Sequence, residues 1–383
     1  MSILFTPKKI GNLTIKNRFI HSACEDNMAN ENGYVTDNII KRLKKLARGE
    51  VGLIIWCHLP AHISGRTKKF QAGIYDDDMI PGLSKVAAEV HKEGGKIAFQ
   101  LGHGGIQASE EATKQPLIGP ATMNGEQIQE MINAFRDSAE RAVKAGADAI
   151  QLHAAHGYLL NEFISPYFNK RDDEWGGSDE NRFRFLREII SEIKTVLPSG
   201  FPLLIKMNTH DYTRKEGITP PLAVQYARWL NDLSIDGLEV SCGTSLGSSF
   251  NMCRGDVPVD EMVRSFHESR QEQMRTYFEP LAGKFELKEP YNVEAARIIR
   301  PVFGDIPLFA VGGWRELSRM EEAVANRDTD FISMCRPFIR EPNLVKRFRE
   351  GKSQKATCKN CNRCLAALPN DIPVRCYYKG FPK

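Results

Sequence analysis

Eight short apolar runs, separated by helix-forming segments, constrain the fold of this chain more than any other feature. The runs are nearly continuous in apolar residues and lack the apolar–polar alternation of a sheet with one solvated face. Such runs are typical of parallel strands that are covered on both faces. In order they are FIHSA (19–23), GLIIWC (52–57), KIAFQL (96–101), DAIQLHA (148–154), LLIKMN (203–208), DGLEVSC (236–242), LFAVGG (308–313) and FISMC (331–335).

The segments between these runs have helical periodicity and helix-end signals. PGLSKVAAEVHKEGG opens with proline and closes with glycine, and EQIQEMINAFRDSAERAVKAGA repeats its apolar residues at helical spacing. Ser178 is a predicted N-cap, and the acidic Asp179 and Glu180 suit the positive end of the helix that follows. Eight alternations of strand and helix predict a (β/α)8 TIM barrel, an α/β fold, over residues 1–350. A doubly wound open sheet is the alternative, but the GxGxxG that usually follows its first strand is absent.

Three segments lie outside the eight repeats. LFTPKKIGNLTIKN, before the first run, predicts a short hairpin that caps the bottom of the barrel. Residues 243–290 form a long insertion that we expect to wall or cover the active face. Residues 351–383 form a cysteine-rich tail, which we treat as a separate segment.

Composition excludes several classes of partner. The net charge of +4 over 383 residues comes with no dense basic cluster, which argues against nucleic acid. No apolar stretch approaches the roughly 20 residues that span a bilayer, so we expect no membrane association. The amino terminus lacks the charged and apolar regions of a secretory signal, and we therefore expect a cytoplasmic protein. Oligomeric state, including a homo-oligomer, is left open.

Candidate functional residues follow the predicted strands, because the active site of a barrel lies at the carboxyl ends of its strands. An HxxH pair and a nearby tyrosine follow the fourth run, and a Gly-Gly pair after the seventh run precedes an arginine after the eighth, which marks the usual phosphate site of a barrel. The set contains no Ser–His–Asp arrangement and no carboxylate pair. Its members are Ser22, Ala23, Cys24, Gln100, His153, His156, Tyr158, Lys206, Gly312, Gly313, Cys335 and Arg336.

The HxxH pair has three interpretations at this point. His153 and His156 could form half of a zinc site, although no further ligand is evident nearby. They could be a satisfied corner of the core, with Tyr158 as ordinary packing. They could also be hydrogen-bond donors to a substrate.

A longer resemblance favours the third interpretation. NRFIHSA, QLGHGG, QLHAAHGYLLNEFISPYFNKRDDEWGGSDENRFRF, LIKMN, LEVSCG, AVGG and ISMCRPFIREP occur in this order between about residues 3 and 350. They resemble the old yellow enzyme family of FMN-dependent oxidoreductases. The resemblance implies an FMN-binding barrel that passes hydride from NADH or NADPH, through flavin N5, to the activated alkene of an α,β-unsaturated carbonyl or dienoyl compound.

The resemblance also implies roles for the ring-bearing residues. His153 and His156 would donate hydrogen bonds to the substrate oxygen, which gains charge as hydride reaches the β-carbon. Tyr158 would protonate the α-carbon, because a phenol with a pKa of about 10 holds its proton at neutral pH.

The cofactor contacts are implied in the same way. Gln100 would hydrogen-bond the pyrimidine edge of the flavin, and Lys206 would lie by N1 and C2=O, where its charge favours the reduced flavin. Lys206 could instead be a surface lysine. The phosphate would bind to backbone N–H groups and a guanidinium, those of Gly312, Gly313, Cys335 and Arg336, although Gly-Gly after a strand is also an ordinary tight turn.

Two positions depart from the pattern of the family. Ser22, Ala23 and Cys24 lead to Glu25 where many members carry Pro-Met followed by Thr or Cys near flavin O4. A charged Glu25 facing the ring would disfavour the reduced flavin, whereas the loop could also present Cys24 and turn Glu25 to solvent. Cys335 stands where Gly or Ser is more usual, and its backbone N–H is unaffected by that change.

The tail carries a second candidate site. CKNCNRCLAALPNDIPVRC places four cysteines at C-x2-C-x2-C-x11-C spacing, and in a reducing compartment such a cluster favours metal over disulfides. Zinc usually takes two separated pairs, so the close triple favours iron–sulfur; zinc and unligated thiols stay open. The ligands would be Cys358, Cys361, Cys364 and Cys376.

The tail resembles the [4Fe–4S] segment of the larger members of the family, the 2,4-dienoyl-CoA reductase and trimethylamine dehydrogenase type. In those proteins the cluster carries electrons between FMN and an FAD-binding module. We expect these 383 residues to lack such a module, and we therefore expect either a separate reductase as donor or direct reduction of FMN by NAD(P)H. Alternative functions are amine-type dehydrogenation and an electron-transfer subunit. The sequence gives no specificity motif for the small-molecule substrate.

Overall fold

The computed structural model describes residues 2–246 and 249–382. Eight parallel strands close into a barrel in the order β10-β3-β4-β5-β6-β7-β8-β9, which confirms the (β/α)8 prediction. The strands are β3 (Phe19–His21), β4 (Leu53–Pro60), β5 (Ile97–Gly102), β6 (Ala149–Ala154), β7 (Leu203–Asn208), β8 (Gly237–Ser241), β9 (Leu308–Val311) and β10 (Phe331–Met334).

Each barrel strand coincides with one of the eight apolar runs. Nearly every strand residue is buried, because the helices cover the outer face and the barrel interior covers the other. The largest boundary difference is in β4, which continues to Pro60 instead of ending at Cys57. Its pairing with β5 is irregular between Trp56 and Leu59, and Cys57 has a φ of 52°. The apolar run ends in the sequence because residue 58 is histidine, whereas the strand continues past the bulge.

Helices alternate with these strands around the outside of the barrel. Asn124 and Gln127 form a capping box at the start of α4, and the predicted N-cap Ser178 accepts the N–H of Asn181 at the start of α6. The helices are α1 (Asp37–Arg48), α2 (Ile80–Lys92), α3 (Glu110–Thr113), α4 (Gly125–Lys144), α5 (Leu159–Ile164), α6 (Asp179–Val196), α7 (Pro220–Asp232), α8 (Ser249–Met252), α9 (Val259–Val263), α10 (Glu268–Phe278), α11 (Val293–Phe303), α12 (Leu317–Ala325), α13 (Arg336–Arg340), α14 (Leu344–Arg349) and α15 (Arg363–Ala366).

The predicted hairpin closes the bottom of the barrel. Strands β1 (Lys8–Ile10) and β2 (Leu13–Ile15) pair antiparallel. Ile10 and Ile15 are fully buried against inward-facing strand residues such as Leu204 and Phe331. Because this end is filled with apolar side chains, an active site has room only at the opposite, carboxyl end.

The insertion after β8 and the tail pack on that opposite end. The insertion contains α8, α9 and α10, and its own apolar cluster includes Phe250 and Phe278. Leu365 of the tail packs against this cluster. Within residues 2–246 and 249–382, no helix combines the length and apolar character needed to cross a membrane.

Candidate active site

A cleft of about 1170 Å3 opens at the carboxyl end of the barrel strands. All twelve strand-end residues singled out in the sequence border this cleft, although they come from six different strands or their following loops. Further residues that were not predicted also border the cleft, among them His58, Ser241, Met252, Tyr291, Trp314 and Ser333.

The HxxH segment places three rings against one another. His153 lies within β6, and the chain then turns through His156, which has a φ of 68°, before α5 begins after Tyr158. The ring centroids of His153 and His156 are 5.1 Å apart, and those of His153 and Tyr158 are 5.0 Å apart. The backbone N–H of His156 donates to Asn208 Oδ1 on β7 at 3.3 Å, which fixes the turn to the neighbouring strand.

These rings are uncharged at neutral pH. Burial, followed by the charges nearby, holds the pKa of His153 and of His156 well below the ordinary value. Burial, and then the nearby Glu25, raises the pKa of Tyr158 to about 12. Neutral imidazoles can each donate one hydrogen bond, and the phenol keeps its proton until a base as strong as a carbanion removes it.

The two histidines differ in their partners. Nε2 of His156 lies 2.7 Å from Ser241 Oγ, whereas Nδ1 of His153 is buried without a hydrogen-bond partner among the described residues. A buried polar atom without a partner is costly, so its presence indicates a site that a ligand satisfies.

His58 adds a fourth ring that the sequence did not indicate. Its centroid is 4.5 Å from that of Tyr158 and 5.2 Å from that of His153. The sequence analysis assigned no site residue to this strand, because the apolar run ends at Cys57 and His58 follows it. A zinc site is not assembled here: among the described residues, no three ligand atoms of the histidines lie within 4.8 Å of one another.

Lys206 is buried in the barrel, and therefore is not a surface lysine. Its Nζ donates to Ser22 Oγ at 2.9 Å and lies 3.4 Å from the Glu239 carboxylate. Glu239 also accepts from Ser333 Oγ at 2.5 Å and from Gln151 Nε2 at 3.2 Å. The carboxylate pairs with the buried ammonium group of Lys206 and so holds that group in place at the cleft floor.

Gln100 belongs to the same network. Its amide nitrogen donates to Gln151 Oε1 at 2.7 Å. That contact fixes the orientation of the side chain at the cleft. Gln151 and Glu239 escaped the sequence analysis because single polar residues inside an apolar run do not disturb its pattern.

The loop after β3 presents both Cys24 and Glu25 to the cleft. The Glu25 carboxylate is not directed to solvent: it accepts the backbone N–H groups of Asp26 and Asn27 at 3.1 and 3.0 Å, and the Cys57 thiol at 3.5 Å. Burial, and then the charge of Asp26, raises the pKa of Glu25 well above the ordinary value. Glu25 therefore favours the protonated form, which removes the negative charge that the sequence led us to consider.

The Gly-Gly pair lies at the other side of the cleft. Gly312 and Gly313 have φ values of 118° and 82°, which side chains rarely adopt, and a Cβ on Gly312 would lie 2.3 Å from Cζ of Tyr291. Arg336 borders the cleft, but its Nη1 donates to the carbonyl oxygens of Cys253 and Arg254 and to Asn362 Oδ1. The guanidinium thus ties the insertion and the tail to the barrel.

The four tail cysteines border one cavity of about 310 Å3. Asn360 and Asn362 adopt left-handed backbone conformations, with φ values of 53° and 55°, and so wrap the chain around the three closely spaced cysteines. Two arginines of α13 flank the cavity, and Arg340 Nη1 lies 3.5 Å from Cys376 Sγ. Cys364 and Arg336 border both this cavity and the cleft.

The tail sulfurs are not gathered into a compact group of ligand atoms. Among the described residues, no three of the tail sulfurs lie within 4.8 Å of one another; the one such group of ligand atoms is Glu25, Asp26 and Cys57. That group is satisfied internally, because the Cys57 thiol donates to Glu25 and Trp56 Nε1 donates to Asp26.

A parallel barrel whose strand ends enclose a cleft with a fixed cation, paired glycines and neutral hydrogen-bond donors is the architecture of a barrel flavoenzyme. A model of the NADH:flavin oxidoreductase / NADH oxidase family matches residues 3–355. The chain belongs to this family, and it is an FMN-binding oxidoreductase that uses NADH or NADPH.

Individual relatives agree with this assignment. The chain is 33% identical to NADPH dehydrogenase of Bacillus subtilis (strain 168) over 353 residues, 90% of this chain and 93% of that protein. The structure of an old yellow enzyme homologue from Zymomonas mobilis has a TM-score of 0.74 and 23% identity, covering 94% of this chain and 96% of that one. The structure of 2-naphthoyl-CoA reductase with 2-naphthoyl-CoA has a TM-score of 0.84 and 25% identity; it covers 98% of this chain, which spans 56% of that longer protein.

Proposed function

We propose that this protein is an ene-reductase, which uses NAD(P)H and FMN to reduce the activated C=C bond of an α,β-unsaturated carbonyl or dienoyl compound. The observation that carries the proposal is the contact of the neutral His153 imidazole with both the Tyr158 phenol and the neutral His156 imidazole at one wall of the cleft. Reduction of such an alkene needs a proton donor for one carbon and hydrogen-bond donors for the oxygen, and the cleft offers both.

The histidines orient and polarise the substrate. As the alkene is reduced, negative charge develops on the carbonyl oxygen, and neutral N–H groups of His153 and His156 stabilise it without adding a cation. One such donor is worth about 3 kcal/mol in comparable oxyanion sites. The unpartnered His153 Nδ1 supports this role, because the substrate oxygen would complete its hydrogen bonding.

Tyr158 supplies the proton to the α-carbon. Its raised pKa keeps the phenol protonated while the substrate binds. The phenolate left behind is then reprotonated from solvent or a neighbouring acid before the next turnover.

The cofactor residues fit FMN. When bound, FMN supplies the hydride acceptor and donor that link NAD(P)H to the alkene. Gln100 and Lys206 would hold the ring at the cleft floor, with Ser22, Ala23 and Cys24 beside it. The backbone N–H groups of Gly312, Gly313 and Cys335 would bind the phosphate, with Arg336 adding positive charge while it stays bonded to the insertion and the tail.

An anaerobic half-reaction assay tests the proposal. NADPH or NADH should bleach the flavin absorbance, and cyclohexenone or a dienoyl thioester should restore it with release of the saturated product. A protein that is bleached only by dithionite, or that is reoxidised only by a one-electron acceptor, is not an ene-reductase.

The tail supports a second element of function. We propose that Cys358, Cys361, Cys364 and Cys376 hold a [4Fe–4S] cluster, since all four border one cavity and three of them follow one another at close C-x2-C-x2-C spacing. Because Cys364 borders both cavities, such a cluster would lie next to the flavin site, and a separate reductase or an amine-type dehydrogenation becomes an alternative source of electrons.

Metal and sulfide analysis of anaerobically purified protein separates the possibilities for the tail. Iron and acid-labile sulfide in nearly equal amounts support the cluster. Stoichiometric zinc without iron contradicts it, and so does a protein whose four thiols all react freely with a thiol reagent.

A further inference from the structure

His58 is a buried imidazole that borders the cleft, yet neither the family pattern nor the proposed chemistry assigns it a task. It lies directly after the bulge in β4, where Cys57 takes a left-handed conformation. A bulge redirects the side chains that follow it and commonly lies next to an active site.

The contacts of His58 are with the catalytic rings. Its ring is 4.5 Å from that of Tyr158, with the two planes at 45°, and 5.2 Å from that of His153 in an edge-on arrangement. Its Nε2 is buried and has no hydrogen-bond partner among the described residues. Burial lowers the pKa of His58 to about 3, so the ring contacts Tyr158 as a neutral aromatic surface.

The absence of a side chain at Gly102 makes room for the His58 ring. Gly102 ends β5 and pairs with Pro60 across the bulge. A Cβ at Gly102 would lie 2.2 Å from both Cδ2 and Nε2 of His58. The imidazole therefore packs closely against Gly102 as well as against the Tyr158 ring, and any side chain at position 102 would displace it.

We propose that His58 is a positioning residue that holds the Tyr158 ring in the orientation from which its hydroxyl faces the substrate α-carbon. This inference rests on the proposed ene-reductase function. Tyr158 is the N-cap of the short helix α5, and its side chain makes no capping hydrogen bond, so packing by neighbouring rings is what restrains it. Removing the imidazole would leave a void into which the phenol rotates and water enters.

The test compares His58→Ala with His58→Phe, which keeps an aromatic ring but no nitrogen. His58→Ala should slow reoxidation of the flavin by cyclohexenone by about tenfold to 100-fold through kcat, because a displacement of about 1 Å at a reacting group has effects of this size. Reduction of the flavin by NADPH should change less than threefold. His58→Phe should stay within about fivefold of the wild type, and His62→Ala, outside the cleft, serves as the matched control.

A second readout does not depend on turnover. With 13C-labelled tyrosine, the resonance assigned by Tyr158→Phe reports the pKa of Tyr158. In His58→Ala this pKa should fall toward the ordinary value as water reaches the phenol, and in His58→Phe it should stay raised.

The outcomes separate the two proposals. If the wild type reduces no activated alkene, the ene-reductase proposal fails, and the tyrosine titration still decides whether His58 restrains Tyr158. The positioning role is overturned if His58→Ala leaves both the pKa of Tyr158 and the alkene step unchanged. It is equally overturned if His58→Phe is as slow as His58→Ala, since the nitrogen and not the ring would then be required.

Discussion

The ring cluster at the cleft and the cysteine cavity in the tail are held in different ways. His58, His153, His156 and Tyr158 touch one another, follow barrel strands and are neutral. The four cysteines come from a segment with one short helix, and their sulfur atoms stand apart beside two arginines. The barrel strands hold the first site in place, whereas the second lies where the tail packs on the barrel.

The two sites also differ in the charge of their side chains. The ring cluster keeps its histidines uncharged by burial, so that in the proposed reaction hydrogen bonding and a single proton transfer would do the chemistry. The tail gathers groups that become anionic on metal binding and surrounds them with positive charge. Burial raises the pKa of the Cys358 and Cys364 thiols, and Arg336 opposes that shift. A metal therefore has to displace protons to bind there.

The largest expected effect comes from the proton donor of the ring cluster. Tyr158→Phe removes the hydroxyl and keeps the ring packing, so alkene reduction should fall by about 10²-fold to 10⁴-fold while flavin reduction by NADPH is unchanged. Stopped-flow measurement of the two half-reactions checks this. Equal loss in both would show that the phenol supports the cofactor site and not the proton transfer. Tyr167→Phe, on a half-exposed tyrosine nearby in the chain, is the control.

A smaller effect is expected from the hydrogen-bond donors. His153→Ala should lower kcat/KM for cyclohexenone by about 10²-fold, the value of one oxyanion donor. Ser241→Ala removes only the partner of His156 and should cost about tenfold or less, since that imidazole can still donate. The pair of variants is measured at one pH with the same alkene. A larger loss for Ser241→Ala than for His153→Ala would reverse the assignment of the donors.

The sequence predicted the barrel well, because covered parallel strands leave a strong apolar signal. It also predicted which strand-end residues meet at the cleft, since their meeting follows from the closure of the barrel. It did not predict His58 as a site residue, because this histidine ends the apolar run at Cys57 although the strand continues past the bulge. Nor did it predict Glu239 and Gln151, whose importance arises from contacts across the barrel interior between β6 and β8. Arg336 was correctly found at the cleft, but its bonds to the insertion and to Asn362 depend on where those loops pack.

Cys361 borders the tail cavity but not the cleft, so a substitution there tests whether the two sites act independently. Cys361→Ser should abolish the iron and sulfide content while FMN content and alkene reduction by NADPH change less than threefold. The control is Cys242→Ser, a buried cysteine outside both cavities. Parallel loss of iron and of NADPH-driven alkene reduction would mean that the cluster lies on the only route of electrons and that the two sites are not independent.

The smallest effect is expected at Glu25, where the prediction concerns stability. Folding raises the pKa of Glu25, so the unfolded chain ionises this carboxyl while the folded protein still holds its proton. The contribution of Glu25 to the free energy of unfolding is therefore intact below its ordinary pKa. It is lost as the pH rises toward the pKa of Glu25 in the folded protein. Gln cannot ionise, so Glu25→Gln should raise Tm by a few degrees at about pH 8 and by little at about pH 5.

The control is Glu31→Gln, on an exposed glutamate with a surface salt bridge, which should not change Tm in this pH-dependent way. Thermal unfolding of FMN-loaded protein across this range measures the difference. A variant that is less stable than the wild type at high pH would mean that Glu25 is ionised in the fold, and the ring cluster would then face a negative charge after all.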